Sequence, residues 1–195
     1  MLEKIKDLYT ENIQTQISAS RLLPEHIVNA ANKLVNCLLR GNKIIVCGHG
    51  RAYANAQFLV ANLLNRYDLE RPSFPSVLLN IDGAVGSAIV ADNHVNTLYQ
   101  RQFNAIAQQG DILVVMSPTA GDASIINILN CAVNKDVSII AFSGANNDHL
   151  QGLLTENDLE LQAPAVKESR ILESHLFTIN AICELIDYKL FTQNS

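Results

Sequence analysis

The stretch Ile44–Gln57, IIVCGHGRAYANAQ, constrains this chain more than any other. A short apolar run, Ile44-Ile45-Val46-Cys47, meets Gly48 and Gly50 and then an alanine-rich segment of helical composition. That order predicts a strand, a tight turn and a helix. It is how α/β proteins build an anion site: glycines let backbone N–H groups approach the ligand, and the helix N-terminus adds partial positive charge. The same turn also serves as a strand-to-helix joint with no ligand, and GxG alone does not separate the two. The full dinucleotide fingerprint GxGxxG fails, because Tyr53 stands at the third glycine position.

Composition bounds the rest. A chain of 195 residues that is 48% hydrophobic and 17% charged can bury one substantial core, and a single domain over 1–195 is expected. The net charge of −5 argues against a broad nucleic-acid-binding surface, which needs clustered Lys and Arg, but is compatible with a basic patch on a protein partner. No basic-then-apolar leader follows Met1, and no apolar run is long enough to span a bilayer. Cys37, Cys47, Cys131 and Cys183 are scattered among apolar residues. They read as buried free thiols in a reducing, cytoplasmic compartment.

The chain opens with helices. Leu2, Ile5, Leu8, Tyr9, Ile13 and Ile17 recur at three and four, one apolar stripe. Leu22-Leu23-Pro24 breaks it, and Pro24 suits the first turn of a second helix that stops near Gly41. The first helix precedes the first strand and carries its own stripe, so packing on a partner chain is expected of residues 1–41. Strand-like runs follow at Lys43–Cys47, Ser76–Asn80, Ile112–Met116, Ser138–Phe142 and Asp158–Leu161. Helical stretches near Ala52–Asn65, His94–Gln108 and Ala123–Lys135 separate most of them. Nearly continuous apolar strands alternating with helices predict an α/β fold: a five-stranded parallel sheet covered on both faces. Ligands in such sheets bind at the carboxyl ends of the strands. Gly48–Tyr53, Asp82–Gly86, Ser117–Asp122 and Ser143–Asn147 should therefore surround one crevice. A long closing helix, roughly Lys167–Phe191, ends in a polar tail, Thr192–Ser195.

With these elements placed, the chain resembles the sugar isomerase (SIS) domain family. GHGRAYANAQ is similar to the family's GNGGSAADAQ loop and helix start. SPTAGDAS falls where the family has its second Ser/Thr-rich loop, STSGNS. RILESHLFTINAICELID resembles the closing helix of sedoheptulose-7-phosphate isomerases and of DnaA initiator-associating proteins. The likeness spans the whole chain, including Asn65-Arg66-Tyr67 and Arg71-Pro72.

Interconverting an aldose and a ketose phosphate needs an acid/base pair, donors for the phosphate and, in some of these isomerases, a metal held by His and Glu. The resemblance places the family's catalytic Glu at Asn62 and its closing-helix His at Asn180. An amide titrates nowhere near neutrality, so neither can act as acid or base. The helix His four residues before that Glu is Phe58, and the closing-helix Gln is Leu172. No catalytic residue, metal or cofactor is therefore assigned. The phosphate loops depart too. Ala52 replaces the first-loop Ser, Pro118 removes a backbone donor, and Asp122 replaces the Ser at the helix start. A carboxylate there caps the helix and repels a phosphate at close range. Gly48, His49, Gly50, Arg51, Ser117, Thr119 and Asp122 remain as a vestigial ligand crevice. Its capacity is a weak sugar-phosphate or anion ligand, with Arg51 as its cation. His49 either donates to such an anion or stands exposed in the loop. His175 survives at a family His position and reads first as a packed or solvated residue.

If the chemistry is lost and the fold kept, the resemblance implies a binding protein: a homotetramer that associates with the replication initiator DnaA and promotes its assembly at the chromosomal origin. Leu190-Phe191 matches a Leu-Phe pair implicated in that contact. The pair could equally pack on its own chain or across a subunit boundary. The competing classes are a phosphoheptose isomerase using other residues and a sugar-phosphate sensor that binds without catalysis.

Overall fold

A computed structural model describes residues 1–119, 122–145, 150 and 152–192. Ala120, Gly121, residues 146–149, Gln151 and the tail 193–195 lie outside the described residues. They include portions of the second loop, of the Ser143–Asn147 segment and of the polar tail. The order is α1 (Leu2–Leu22), α2 (Pro24–Leu39), β1 (Ile44–Gly48), α3 (Ala52–Leu64), β2 (Ser76–Leu78), α4 (Gly83–Ala91), α5 (Leu98–Ile106), β3 (Ile112–Met116), α6 (Ala123–Asn134), β4 (Ser138–Gly144), β5 (Leu159–Ala163) and α7 (Glu168–Asp187). The strands form one parallel sheet in the order β2-β1-β3-β4-β5.

Every residue of β1 and β3 is buried, as a sheet covered on both faces requires. The side chains divide by the two-residue period of a strand. Ile44, Val46, Ile112 and Val114 join the core built with α1, α2, α3 and α7. Ile45, Cys47, Leu113 and Val115 join the core built with α5 and α6. The result is the three-layer arrangement expected from the alternation of strands and helices. At the amino end of the sheet, Asp111 ties two strands together. Its carboxylate takes Lys43 Nζ at 2.6 Å and the N–H groups of Lys43 at 3.0 Å and Gln108 at 2.8 Å. Burial works to raise that carboxyl, and these donors outweigh it and hold it below the usual range.

Three local expectations change. The stretch that begins at Asp82–Gly86, where the sequence predicts no helix, carries one: Gly83–Ala91 forms α4. Its sequence, GAVGSAIVA, has no polar face and two glycines, so it lacks the periodicity that signals a helix. The fold nonetheless requires Gly86, where an added Cβ would lie 2.2 Å from the Ile81 carbonyl oxygen. The helix expected over His94–Gln108 begins as a single 3-10 turn, Val95–Thr97, before α5. Among the cysteines, Cys37, Cys47 and Cys183 are buried free thiols, but Cys131 is only half-buried at the edge of α6 beside Asn104. No helix among the described residues is long and apolar enough to cross a membrane.

The helix α1 buries only Thr15 and Ala19 against the rest of the chain. Leu2, Ile5, Tyr9, Ile13 and Ile17 face outward, so its apolar stripe does not cover the sheet. Beside it, an apolar cavity of about 520 Å³ lies between α1, α2 and α7, lined by Ala19, Leu23, Ile27, Val28, Phe177 and Leu185 among others.

Two buried polar groups fix α7. Arg71, in the connection between α3 and β2, donates from Nε to Asp187 Oδ1 at 2.7 Å, and both side chains are buried. Its remaining nitrogens donate to the carbonyls of Asn62, Leu63 and Pro72. His175 is buried on α7, with Nε2 2.8 Å from the Ser143 carbonyl oxygen and its ring edge-on to Phe142. A carbonyl only accepts, so Nε2 carries the proton. Nδ1 is buried with no partner among the described residues. Burial pushes the ring down to about 4.

Removing one member of a buried ion pair strands the other, at a cost of about 3–5 kcal/mol. Arg71→Met should lower stability in chemical denaturation by that amount, and Arg71→Met with Asp187→Leu should lose less than the single variant. Folding holds His175 neutral. Its contribution is complete above pH 6.5 and is lost as pH falls toward 4, on the order of 3 kcal/mol at the acid limit. His175→Gln, which keeps a donor but does not titrate, should flatten the stability curve between pH 6.5 and 4; an unchanged slope would assign acid sensitivity to other groups.

Candidate functional site

The turn after β1 is shaped by close backbone approach. His49 N–H donates to the Met116 carbonyl at 2.9 Å, and Ala52 N–H returns to the His49 carbonyl at 3.1 Å. An added Cβ on Gly48 would meet the Ala52 carbonyl oxygen at 2.8 Å, and Gly50 has a φ of 56°. Both glycines are therefore structural necessities of the turn. The buried Tyr99 hydroxyl donates to the Gly48 carbonyl at 2.6 Å, and burial raises its phenol above the ordinary range. That contact fills the space beneath the loop. A single tyrosine in an amphipathic helix gives no sign of it in the sequence.

The second loop leaves β3 at Ser117, which is buried. Its N–H donates to the Phe142 carbonyl at 2.9 Å, and its hydroxyl donates to the Thr119 carbonyl at 3.3 Å. Thr119 is exposed. Asp122 is the N-cap of α6, its Oδ1 accepting from Ser124 N–H at 2.7 Å. Hydrogen bonding from Ser124 holds the Asp122 carboxyl below the usual range, helped by His49 nearby. A carboxylate at a helix N-terminus is stabilised by the helix dipole. The N-terminus of α6 therefore carries the chain's own negative charge.

The structure brings His49 and Asp122 together, with Nδ1 4.0 Å from Oδ2 and both side chains partly exposed. It takes Arg51 elsewhere. That guanidinium pairs with Glu168 at the start of α7 and is largely exposed. The cation that the sequence offers to the crevice is thus matched by a carboxylate from the closing helix. Nothing in the sequence links positions 117 residues apart. Nearby in α3, the Tyr53 hydroxyl donates to Asn80 Oδ1 at 3.1 Å.

The positions where the isomerase resemblance places catalytic groups lie along the seam of α3 and α7. Asn62 Nδ2 points to Cys183 Sγ at 3.8 Å, while its carbonyl accepts from Arg71. Burial pushes the Cys183 thiol up to about 12, so it is inert at neutral pH. Asn180 Oδ1 is buried with no partner among the described residues. Leu172 packs against the core, its carbonyl accepting from Asn55 at 3.0 Å, and Phe58 is exposed. Among the described residues, no three His, Cys, Asp or Glu side chains form a group that could hold a metal. Phe58, Asn62, Leu172 and Asn180 offer two hydrocarbons and two neutral amides, a poor donor set for a divalent cation.

The pair Leu190–Phe191 sits just past α7, in a wider helical turn over Tyr188–Thr192 that continues it. Leu190 is partly buried against the core. Phe191 stacks on Phe74, with ring centroids 6.3 Å apart and planes 12° from parallel. The two residues therefore split, one facing inward and one lying partly exposed over Phe74.

The geometry agrees with what the chain is similar to. Residues 8–144 match the SIS domain family. A protein from Enterobacter sp. (strain 638) named DnaA initiator-associating protein DiaA is 44% identical over 191 residues, 98% of this chain and 97% of its own. A protein from Shewanella pealeana named phosphoheptose isomerase is 42% identical over 194 residues, all of this chain and 98% of its own. Among solved structures, phosphoheptose isomerase GmhA from Neisseria gonorrhoeae superposes with a TM-score of 0.89 at 28% identity, covering 95% of this chain and 98% of that one. With residues 8–144 matched by the family and relatives above 40% identical along its length, the chain belongs to the SIS domain proteins.

Proposed function

We propose that this chain is a non-catalytic SIS-fold regulator that binds the replication initiator DnaA and promotes its assembly at the chromosomal origin. The observation that carries the reading is the pair of amides on the α3–α7 seam. Asn62 and Asn180 stand where the isomerase resemblance puts an acid and a base, and neither can exchange a proton near neutral pH. The crevice points the same way, since Asp122 supplies its own anion and Arg51 is paired with Glu168. The 44% identical relative named for association with DnaA supplies the partner. The relative named phosphoheptose isomerase is nearly as similar, and it keeps the competing enzyme reading in the test.

Binding is assigned to Leu190 and Phe191, an aromatic with an aliphatic neighbour at a helix end. The helical segment over residues 1–41 is assigned to assembly of a homotetramer, where the outward stripe of α1 and the apolar cavity beside it would be covered. A symmetric tetramer presents several identical docking sites, so weak contacts sum through effective concentration. The setting is the cytoplasm, where the four thiols stay reduced. The crevice residues Gly48, His49, Gly50, Arg51, Ser117, Thr119 and Asp122 are assigned no more than weak anion or sugar-phosphate binding.

Purified protein should bind DnaA. Leu190→Ala with Phe191→Ala should weaken that binding by about 30-fold or more, the scale of a hot spot, while the oligomer in gel filtration stays unchanged. Loss of the oligomer instead would assign the pair to structure. Turnover of sedoheptulose 7-phosphate, or strong thermal stabilisation by sugar phosphates with no binding to DnaA, would overturn the reading.

A further inference from the structure

The Leu190–Phe191 edge is held by contacts between residues far apart in the sequence. Asp187 closes α7 and accepts from Arg71 Nε at 2.7 Å. The Arg71 guanidinium, fixed also by three backbone carbonyls, lies 3.9 Å over the centre of the Phe74 ring. Phe74 is buried and stacks with Phe191, which is 40% exposed. On the other side of the same turn, Lys189 Nζ donates to Asn32 Oδ1 on α2. Four side chains thus run in a line from a buried ion pair to an exposed aromatic ring: Asp187, Arg71, Phe74, Phe191.

We propose that Phe74, held by the Arg71–Asp187 pair, is the positioning residue of the docking edge, fixing the Phe191 ring in its binding orientation before the partner arrives. This rests on the docking role assigned to Leu190 and Phe191 above. The physical logic is preorganisation. An exposed phenylalanine at a helix end loses rotamer freedom when it enters an interface, and one already stacked has less to lose. A cation over the Phe74 face and an offset stack between the two rings favour one arrangement over others. The occupant that fits is an apolar notch on the initiator that receives the exposed part of the Phe191 ring.

The test measures affinity for purified DnaA with the full-length protein, in the wild type and in Phe74→Leu, Phe74→Tyr, Phe191→Ala and the Phe74→Leu/Phe191→Ala double variant. Phe74→Leu should weaken binding about 3- to 10-fold, the scale of one side chain immobilised on binding. Phe74→Tyr, which keeps the ring, should bind like wild type. In the double variant, Phe74→Leu should add nothing to the loss from Phe191→Ala, because the two act as one unit. Phe74→Met keeps the buried volume without the ring and replaces the leucine variant should that one fail to fold. If Phe191→Ala weakens binding and neither Phe74→Leu nor Phe74→Met does, the positioning role is overturned and the docking role stands. Losses that add in the double variant also overturn it, because a general structural defect would be independent of Phe191. If Phe191→Ala binds like wild type, the docking role fails and the positioning role fails with it.

Discussion

Complete burial of two strands at the middle of the sheet, β1 and β3, governs this molecule. β1 and β3 expose none of their residues, so both faces must be covered and every strand end must hand the chain to a loop. At roughly 25 cal/mol for each Å² of apolar surface removed from water, the two cores on either side of the sheet are the main favourable contribution to folding. Parallel pairing sends each connection across a face, and it sets the carboxyl ends of β1, β3 and β4 side by side. The approach of the first and second loops there is a consequence of topology. The amino end of the sheet is closed differently, by the Asp111 carboxylate bridging Lys43 and Gln108.

The chemistry at the crevice is governed by where charges can rest. Asp122 is stable as a carboxylate because it caps α6, and the same charge opposes a phosphate at that spot. Arg51, the cation of the first loop, rests against Glu168. On the α3–α7 seam the polar positions hold amides and a thiol that burial keeps protonated. Arg71 and Asp187 supply a buried ion pair between the α3 end and α7.

Much of this was legible in the chain itself. The strand-turn-helix of Ile44–Gln57, the cap at Asp122, the break at Pro24 and the long closing helix all follow from local rules: apolar run length, capping chemistry and periodicity. What was not legible had weak or distant signals. The segment Gly83–Ala91 hides a helix because it is apolar all round and contains glycine. The partners of Arg51 and Arg71 lie more than a hundred residues away, and a charged residue in a sequence does not declare its counterion. Tyr99 beneath Gly48 and Phe74 against Phe191 are single aromatics whose neighbours only folding supplies.

The sequence by itself determined the class of fold, because alternating buried strands and amphipathic helices admit few arrangements other than a covered parallel sheet. It also determined that Asn62 and Asn180, where the resemblance places the isomerases' acid and base, are amides in any conformation. Tertiary structure decided how the remaining groups are used. It drew Arg51 to Glu168, set His49 beside Asp122, buried His175 in neutral form and laid Phe191 on Phe74. The physical reason is range. Propensity and periodicity act over a few residues, whereas ion pairing, desolvation and ring stacking act between groups that meet only when the chain has closed on itself.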